Sequence, residues 1–266
     1  MKYKYIYFLL ILFAACKSES NLNQTTQDVP KETNMEQLKP GIPAYIDSNY
    51  VMGKFDPAQH SEFELIDLKY ADREGLYLHK ESLKAFIGMW EKAKAEGFNF
   101  TIKSATRNFN YQKSIWDRKW TGETLLEGSI NAKETYKSNY QRAIAIMRFS
   151  SMPGTSRHHW GTDIDLNAFT NEYFESGQGL AEYNWLLKNA ESFGFVQVYT
   201  DKASTGRTGY EEEKWHWSYK PISSLCQDVA EKHILNSHIS GFDGADAAEQ
   251  IDVKQNYIFG IDKSCF

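Results

Sequence analysis

Residues 153–167 decide the fold and read Pro153-Gly-Thr-Ser-Arg-His-His-Trp-Gly-Thr-Asp-Ile-Asp-Leu-Asn167. From residue 162 onward, apolar and polar side chains alternate, which is the period of a β-strand. The polar positions are Asp163, Asp165 and Asn167, so one face of the predicted strand consists of acidic and amide groups. Such a face needs solvent, a cation or a substrate opposite it, and we therefore expect the functional site on this strand.

Two adjacent histidines, His158 and His159, precede this strand, and the following Gly161 can make a tight turn. The turn would bring His158 and Asp165 toward one point. An imidazole nitrogen and a carboxylate oxygen are ligands that suit a zinc-like ion. The sequence therefore predicts a metal site between the histidine turn and the acidic strand face.

A second polar strand face is predicted in residues 213–219, where aromatic residues alternate with His216 and a serine. A catalytic zinc commonly takes three protein ligands and keeps a fourth position for water. His158, Asp165 and His216 would form such a set, and Glu213 would be the free carboxylate that accepts a proton from the zinc-bound water. Residues three apart face opposite ways on a regular strand, so we expect Glu213 in a loop or bulge before the strand.

The chain resembles the zinc D-alanyl-D-alanine carboxypeptidases of the VanY type and their D,D-dipeptidase relatives. The resemblance spans roughly Leu76 to Lys220. It rests on three segments: Ser156-x-His158-x-x-Gly161-x-x-x-Asp165, Glu213-x-Trp215-His216 and Ser104-Ala-Thr-Arg107-Asn-Phe-Asn-Tyr-Gln112.

The resemblance implies a role for each residue of these segments. It implies zinc on His158, Asp165 and His216, with Glu213 as the general base. It also implies that Arg107 steadies the tetrahedral intermediate, and that the substrate-binding residues are Ser156, Arg107 and Gln112.

The chain departs from the family at Asp163, where a small residue, often alanine, is usual. Asp163 and Asp165 share a strand face, so the face alone leaves open which of them binds the metal. The spacing from His158 favours Asp165. We then expect Asp163 and His159 behind the ligands, with Asp163 orienting a histidine N–H group.

The first residues read as an export signal. Lys2 and Lys4 precede an apolar run that is too short for a permanent membrane helix. The run ends in Leu12-Phe-Ala-Ala-Cys16, which resembles a bacterial lipoprotein signal that is cleaved before Cys16 and leaves lipid on its thiol. An ordinary secretory signal is the alternative, and both readings predict a protein outside the cytoplasm. We expect a signal peptide at 1–15, a flexible polar tether at 16–42 and a zinc peptidase domain at 43–266. In the lipoprotein reading, the protein is anchored by lipid in a bacterial envelope.

The composition suits a packed domain, with 41% hydrophobic and 15% aromatic residues among 266. A net charge of −5 argues against a nucleic-acid-binding protein, which is usually basic. We expect an α+β fold in which a small, mostly antiparallel sheet carries the site and helices pack on one side of it. Apolar spacing predicts helices at 80–96, 110–120, 132–149, 180–193 and 220–238, and strands at 98–104, 162–167 and 195–199.

Cys226 and Cys265 are the cysteines that remain besides Cys16. In an oxidising compartment they could form a disulfide that pins a weakly structured tail after Gly241 to the last helix. Two independent thiols are the alternative. Neither cysteine neighbours a predicted metal ligand, so a cysteine-ligated metal is not expected.

The predicted chemistry is zinc-dependent hydrolysis of a peptide bond. The resemblance implies a peptidoglycan stem peptide as substrate, cut before its terminal D-alanine by a D-Ala-D-Ala carboxypeptidase. An endopeptidase or a D,D-dipeptidase stays open on the same scaffold, because loops such as 169–179 and 200–210 would set specificity. A non-catalytic zinc domain that binds the cell wall is the alternative from another class. The presence of Glu213 and Arg107 beside the ligands argues against it.

Overall fold

The computed structural model describes residues 41–266, and the structural statements below concern that part of the chain. The predicted signal peptide, Cys16 and nearly all of the predicted tether lie outside the described residues. Within residues 41–266, every helix is too short or too polar to cross a bilayer.

Six short strands and nine α-helices form the described part of the chain. The strands are β1 (Phe63–Leu65), β2 (Tyr77–His79), β3 (Ile102–Ser104), β4 (Asp163–Leu166), β5 (Phe195–Val196) and β6 (His216–Tyr219). The helices are α1 (Ser48–Val51), α2 (Lys80–Ala95), α3 (Phe109–Trp120), α4 (Ala132–Thr135), α5 (Asn139–Ile146), α6 (Gly177–Asn189), α7 (Lys202–Thr205), α8 (Lys220–His233) and α9 (Ala248–Ile251). Several 3-10 turns connect them, and the one at Arg157–Trp160 bears on the site.

The main sheet has four strands in the order β3-β4-β6-β5, and each neighbouring pair is antiparallel. Strands β1 and β2 form a separate antiparallel pair. In the centre of the main sheet, Asp165 lies opposite His216 and Asp163 lies opposite Ser218. The predicted α+β fold with a small antiparallel sheet is confirmed.

One face of the main sheet packs against helices. Ile164, Leu166 and Trp217 belong to a buried cluster with Phe86 of α2 and Trp185 of α6. Since side chains alternate along a strand, the aspartates of β4 and the histidine of β6 lie on the opposite face. Helices α2 and α6 therefore cover the apolar face of the sheet, and the polar residues lie on the other face.

The helix predicted at 132–149 is wrong as a single element. It is two helices, α4 and α5, because the backbone of Tyr136 is extended and Ser138 starts a new helix. The Ser138 hydroxyl accepts a hydrogen bond from the Gln141 N–H group, which is the usual role of a serine N-cap. The helix predicted at 220–238 likewise ends at His233 and is followed by a short 3-10 turn at Asn236–His238.

The prediction of a weakly structured tail after Gly241 is also wrong. This segment holds α9 and a π-turn at Lys254–Ile258. Val253, Tyr257 and Ile261 are buried in one cluster with Trp116 and Tyr199. The apolar residues of the tail follow no regular period, so their burial is not visible in the sequence pattern.

Cys226 and Cys265 are free thiols, and the predicted disulfide is absent. Cys226 packs in the cluster that holds Ile222 of α8, whereas Cys265 belongs to the cluster of the tail. The Cys265 thiol donates a hydrogen bond to the Gln197 carbonyl oxygen at 3.3 Å. The two cysteines therefore serve separate parts of the core.

Candidate active site

The 3-10 turn at Arg157–Trp160 carries the two adjacent histidines into the site. It begins at Ser156, whose hydroxyl accepts a hydrogen bond from the His158 N–H group at 3.3 Å. It ends at Gly161, which has a φ of +72°. A Cβ atom at Gly161 would lie 2.4 Å from the Phe63 ring, so glycine is required there both by its conformation and by space.

The structure brings His158, Asp165 and His216 together, and all three are buried. His158 Nε2 lies 3.3 Å from Asp165 Oδ2, and His216 Nδ1 lies 3.1 Å from Asp165 Oδ1. One ligand atom from each residue can be chosen so that all lie within 4.8 Å of one another. The three side chains therefore converge on one point, as the sequence predicted.

The other ring nitrogen of each histidine has a partner of its own. His158 Nδ1 lies 2.9 Å from the Ala105 carbonyl oxygen, and His216 Nε2 lies 2.8 Å from Asp163 Oδ2. These contacts fix the orientation of both rings, so that His158 Nε2 and His216 Nδ1 are the nitrogens that face Asp165. Two imidazole nitrogens and a carboxylate are a donor set typical of a catalytic zinc, so the residues fit this ion.

Asp163 is buried behind His216 and is paired with Arg157. Arg157 Nε donates to Asp163 Oδ2 at 3.1 Å, and both side chains are shielded from solvent. Arg157 Nη2 and Asp163 Oδ1 both contact the Ser218 hydroxyl, at 2.9 and 2.8 Å. Sequence reasoning missed Arg157. The signal was available, because an acid at a normally small core position calls for a nearby cation.

These contacts determine the charge states around His216. Burial would raise the pKa of Asp163, but the Arg157 charge and the hydrogen bond to His216 hold it below its ordinary value. Burial would lower the pKa of His216, but its hydrogen bonds to Asp163 and Asp165 raise it to about 9. Without a metal, the imidazole of His216 is therefore held between two carboxylates.

Glu213 lies just before β6, in the loop position that the sequence predicted. Its backbone N–H group donates to the Tyr199 carbonyl oxygen at 2.9 Å, which fixes the loop. Glu213 Oε2 lies 3.6 Å from His216 Nδ1. The side chain is buried, and burial raises its pKa to about 7. A second carboxylate thus stands beside the three convergent residues without sharing their ligand set.

The predicted substrate-binding residues line the same cavity as the convergent histidines. The cavity has a volume of about 570 Å³ and is lined by Arg107, Gln112, Ser156, Glu213 and the three convergent residues. Arg107 Nε and Gln112 Oε1 are buried and have no hydrogen-bond partner among the described residues. The two residues therefore line the cavity with hydrogen-bonding capacity that the described part of the protein does not use.

His159 supports the site from behind. Its Nε2 accepts a hydrogen bond from the Gly154 N–H group at 3.0 Å, and its Nδ1 donates to the Arg107 carbonyl oxygen at 2.6 Å. The Arg107 N–H group in turn donates to the His158 carbonyl oxygen at 3.0 Å. His159 thus ties the histidine turn to the Arg107 segment.

Several residues of the cavity were missed by sequence reasoning. Tyr199, Tyr210 and Lys119 line it, and the Tyr199 ring lies 4.7 Å from the His216 ring. Lys119 follows Gln112 by seven residues, which is two helical turns and places both on one face of α3. That spacing could have identified Lys119. Residues 169–172, the first part of the loop that we expect to set specificity, line the cavity.

A family model described as VanY: D-alanyl-D-alanine carboxypeptidase matches residues 75–222, which is more than half of the chain. The chain belongs to the VanY family. It is therefore a hydrolytic peptidase of the D-alanyl-D-alanine carboxypeptidase type, as the resemblance predicted.

The chain is also similar to two carboxypeptidases of known sequence and to a solved structure. The chain is 29% identical over 216 residues to YodJ of Bacillus subtilis, a predicted carboxypeptidase, and the match covers 77% of this chain and 71% of YodJ. It is 31% identical over 140 residues to a D-alanyl-D-alanine carboxypeptidase of Enterococcus faecalis, covering 52% of this chain and 47% of that protein. Among solved structures, VanYB in complex with D-alanine-D-alanine is 25% identical, with a TM-score of 0.47, and the match covers 68% of this chain and 90% of that one.

Proposed function

We propose that this protein is a zinc-dependent D-Ala-D-Ala carboxypeptidase that removes the terminal D-alanine of peptidoglycan stem peptides. The observation that carries the proposal is the convergence of His158, Asp165 and His216, with Glu213 3.6 Å from His216 Nδ1 in the same cavity. Membership in the VanY family supports the peptide class of the substrate.

His158 Nε2, an Asp165 oxygen and His216 Nδ1 would hold the zinc ion. Bound zinc supplies a Lewis acid that polarises a carbonyl and lowers the pKa of water to about 7. Protein contacts would orient both histidines before a metal binds. The Ala105 carbonyl oxygen orients His158, and Asp163 holds the Nε2 proton of His216.

Glu213 is suited to move the proton in both halves of the reaction. It takes the proton of the attacking water as the scissile carbonyl is attacked, and it returns this proton to the leaving amine. Burial raises its pKa to about 7, so the carboxylate is a stronger base than an exposed glutamate and its acid form can still donate near neutral pH.

Arg107 and Gln112 line the cavity, and each has a polar atom without a hydrogen-bond partner in the part of the chain that the structure describes. The guanidinium of Arg107 would donate to the oxygen that gains negative charge as the carbonyl becomes tetrahedral. The Gln112 side-chain oxygen would accept from a peptide N–H group of the bound substrate, since it has no hydrogen-bond partner among residues 41–266. Ser156 lines the same cavity and completes the polar wall.

A digest of purified muropeptides, analysed by mass spectrometry, tests the proposal. We expect pentapeptide stems to lose one alanine, and Glu213→Gln to lower kcat by a factor of about 10² to 10⁴ while zinc content stays unchanged. Wild-type turnover by Glu213→Gln would contradict the role of Glu213. Cleavage of cross-links would indicate an endopeptidase, and hydrolysis restricted to free D-Ala-D-Ala would indicate a dipeptidase.

We also propose that the enzyme works outside the cytoplasm and is anchored through lipid on Cys16. The segment from Leu12 to Cys16 supports this, because small residues directly precede the cysteine. Cys16→Ser should move the protein out of the membrane fraction of expressing bacteria. A wild-type protein found free outside the cytoplasm would instead indicate an ordinary secretory signal.

A further inference from the structure

We propose that Lys119 binds the free terminal carboxylate of the substrate and so directs the enzyme to the end of the peptide. This inference rests on the proposed function and names the group that selects its substrate. Lys119 lies on α3, and its side chain lines the cavity together with Gln112 and Arg107.

The ammonium group of Lys119 lacks a carboxylate partner among the described residues. Its Nζ donates a hydrogen bond to the Ser150 hydroxyl, which is a neutral group. Other lysines show the contrast: Lys113, on the same helix, pairs with Asp117 at 2.5 Å. A cation that is partly buried without an opposite charge is costly, and an anionic ligand would remove that cost.

Arg107 adds a second positive charge to the cavity that Lys119 lines, and this charge further favours binding of an anion. Arg107 and Lys119 are the arginine and the lysine among the described residues that line the cavity, and Arg107 Nε has no hydrogen-bond partner. Burial and the nearby Arg107 charge lower the pKa of Lys119, whereas the Glu213 charge raises it. The charges of Arg107 and Glu213 are thus close enough to Lys119 to change its pKa. Two unpaired cations that share one cavity fit a substrate with two oxygen-rich groups, the attacked carbonyl and a carboxylate.

The groups around Lys119 suit a carboxylate in particular. The Ser150 hydroxyl accepts from Lys119, so its own proton remains to be donated to a second oxygen. The acid Glu127, which also lines the cavity, is already paired with Arg148. A planar carboxylate could therefore receive one bond from the ammonium and one from the hydroxyl. A cross-linked stem has an amide at this position and would leave the ammonium unpaired.

Two peptides that differ only in their ends test the inference: one ends in a free D-Ala-D-Ala carboxylate and the other in the D-Ala-D-Ala amide. Their binding is measured by calorimetry on the zinc-loaded Glu213→Gln protein, and their turnover on the protein with Glu213 intact. We expect the acid to bind about 10- to 100-fold more tightly than the amide, which is the range of a charge-assisted hydrogen bond. Lys119→Met should abolish this preference and leave amide binding unchanged within about twofold. Lys119→Arg should keep most of the preference.

Lys113→Met is the matched control, because it removes a lysine of the same helix that lies outside this cavity. Its preference for the acid should equal that of the parent protein. Equal binding of acid and amide by the parent protein, or an unchanged preference in Lys119→Met, would overturn the role of Lys119. The binding arm is independent of turnover, so an inactive wild type would refute the proposed function while the role of Lys119 is still decided by binding.

Discussion

The buried pair of Arg157 and Asp163 allows a double-mutant test of how this chain tolerates an acid at position 163. Asp163→Ala would remove one partner and leave the Arg157 charge without its acid, because both side chains are almost fully buried. Breaking a buried ion pair on one side typically costs about 3–5 kcal/mol. We expect a loss of that size in the free energy of unfolding of the metal-free protein.

Replacing both partners should cost much less. In Arg157→Met with Asp163→Ala, neither charge of the pair remains to be buried. The methionine keeps an unbranched side chain beside the Trp160 ring, over which the guanidinium lies at 4.4 Å in the parent protein. Apolar replacements of buried pairs are often neutral or stabilising. We expect the double variant to recover at least about 2 kcal/mol relative to Asp163→Ala, measured by urea denaturation with unchanged m-values. A double variant whose loss equals the sum of the single losses would refute the pairing argument.

Measurements of zinc affinity distinguish two roles of Asp163: its pairing with Arg157 and its contact with His216. Both variants that lack Asp163 lose the acceptor for the Nε2 proton of His216. We therefore expect zinc to bind about 10- to 100-fold more weakly in the single and in the double variant, even though the double variant recovers stability. Competition with a chromogenic chelator measures this. Wild-type zinc affinity in Asp163→Ala would show that Asp163 does not orient the ligand.

Glu213, the two buried cysteines and Gly209 allow three more tests. Burial raises the pKa of Glu213 from 4.5 to about 7, so its contribution to folding stability is complete below pH 4.5 and is lost as the pH rises through 7. In urea denaturation, the free energy of unfolding of the metal-free wild type should therefore fall by about 3 kcal/mol relative to Glu213→Gln over this interval. Parallel pH profiles of the two proteins would contradict this. Burial raises the pKa of the Cys226 thiol, and it raises the pKa of the Cys265 thiol to about 11. Both thiols should therefore resist alkylation by iodoacetamide at pH 8 until the protein is unfolded. A disulfide-linked peptide in a non-reducing digest would contradict this. Gly209 has a φ of +76°, and a Cβ there would lie 2.3 Å from the Asn256 carbonyl oxygen. Gly209→Ala should therefore lower the free energy of unfolding by more than about 1 kcal/mol. An unchanged melting temperature would disprove the close contact.

The central strands and the convergence of the site were predictable because they follow from local patterns. The alternation around Asp163 and Asp165 specifies which face of β4 is polar, and the same period in β6 places His216 on a polar face. The position of Glu213 followed from the same rule, since three residues before His216 lies outside the regular strand. For these residues, the period of two carried most of the information.

Other features depend on contacts between distant segments that have no local pattern. The burial of Arg157 depends on Asp163 and Ser218, which reach it only when β4 and β6 are paired. The order of the tail depends on an apolar surface built by earlier segments, so its irregular apolar residues looked like a weakly structured end. The predicted disulfide failed for the same reason, because cysteine spacing gives no information about which core each thiol joins.

The contact of the tail with residues 208–210 has a consequence for how the enzyme matures. The Thr208 hydroxyl bonds to the Asn256 carbonyl oxygen, and the Tyr210 ring, which lines the cavity, packs edge-on to Tyr257 at 5.0 Å. The proposed metal ligands His158, Asp165 and His216 all precede this tail in the order of synthesis. A nascent chain that already contains every proposed catalytic residue would therefore still lack the packing that supports Tyr210 in the cavity wall, so we expect hydrolytic activity to arise only after residues 254–258 have been made and have folded against this loop.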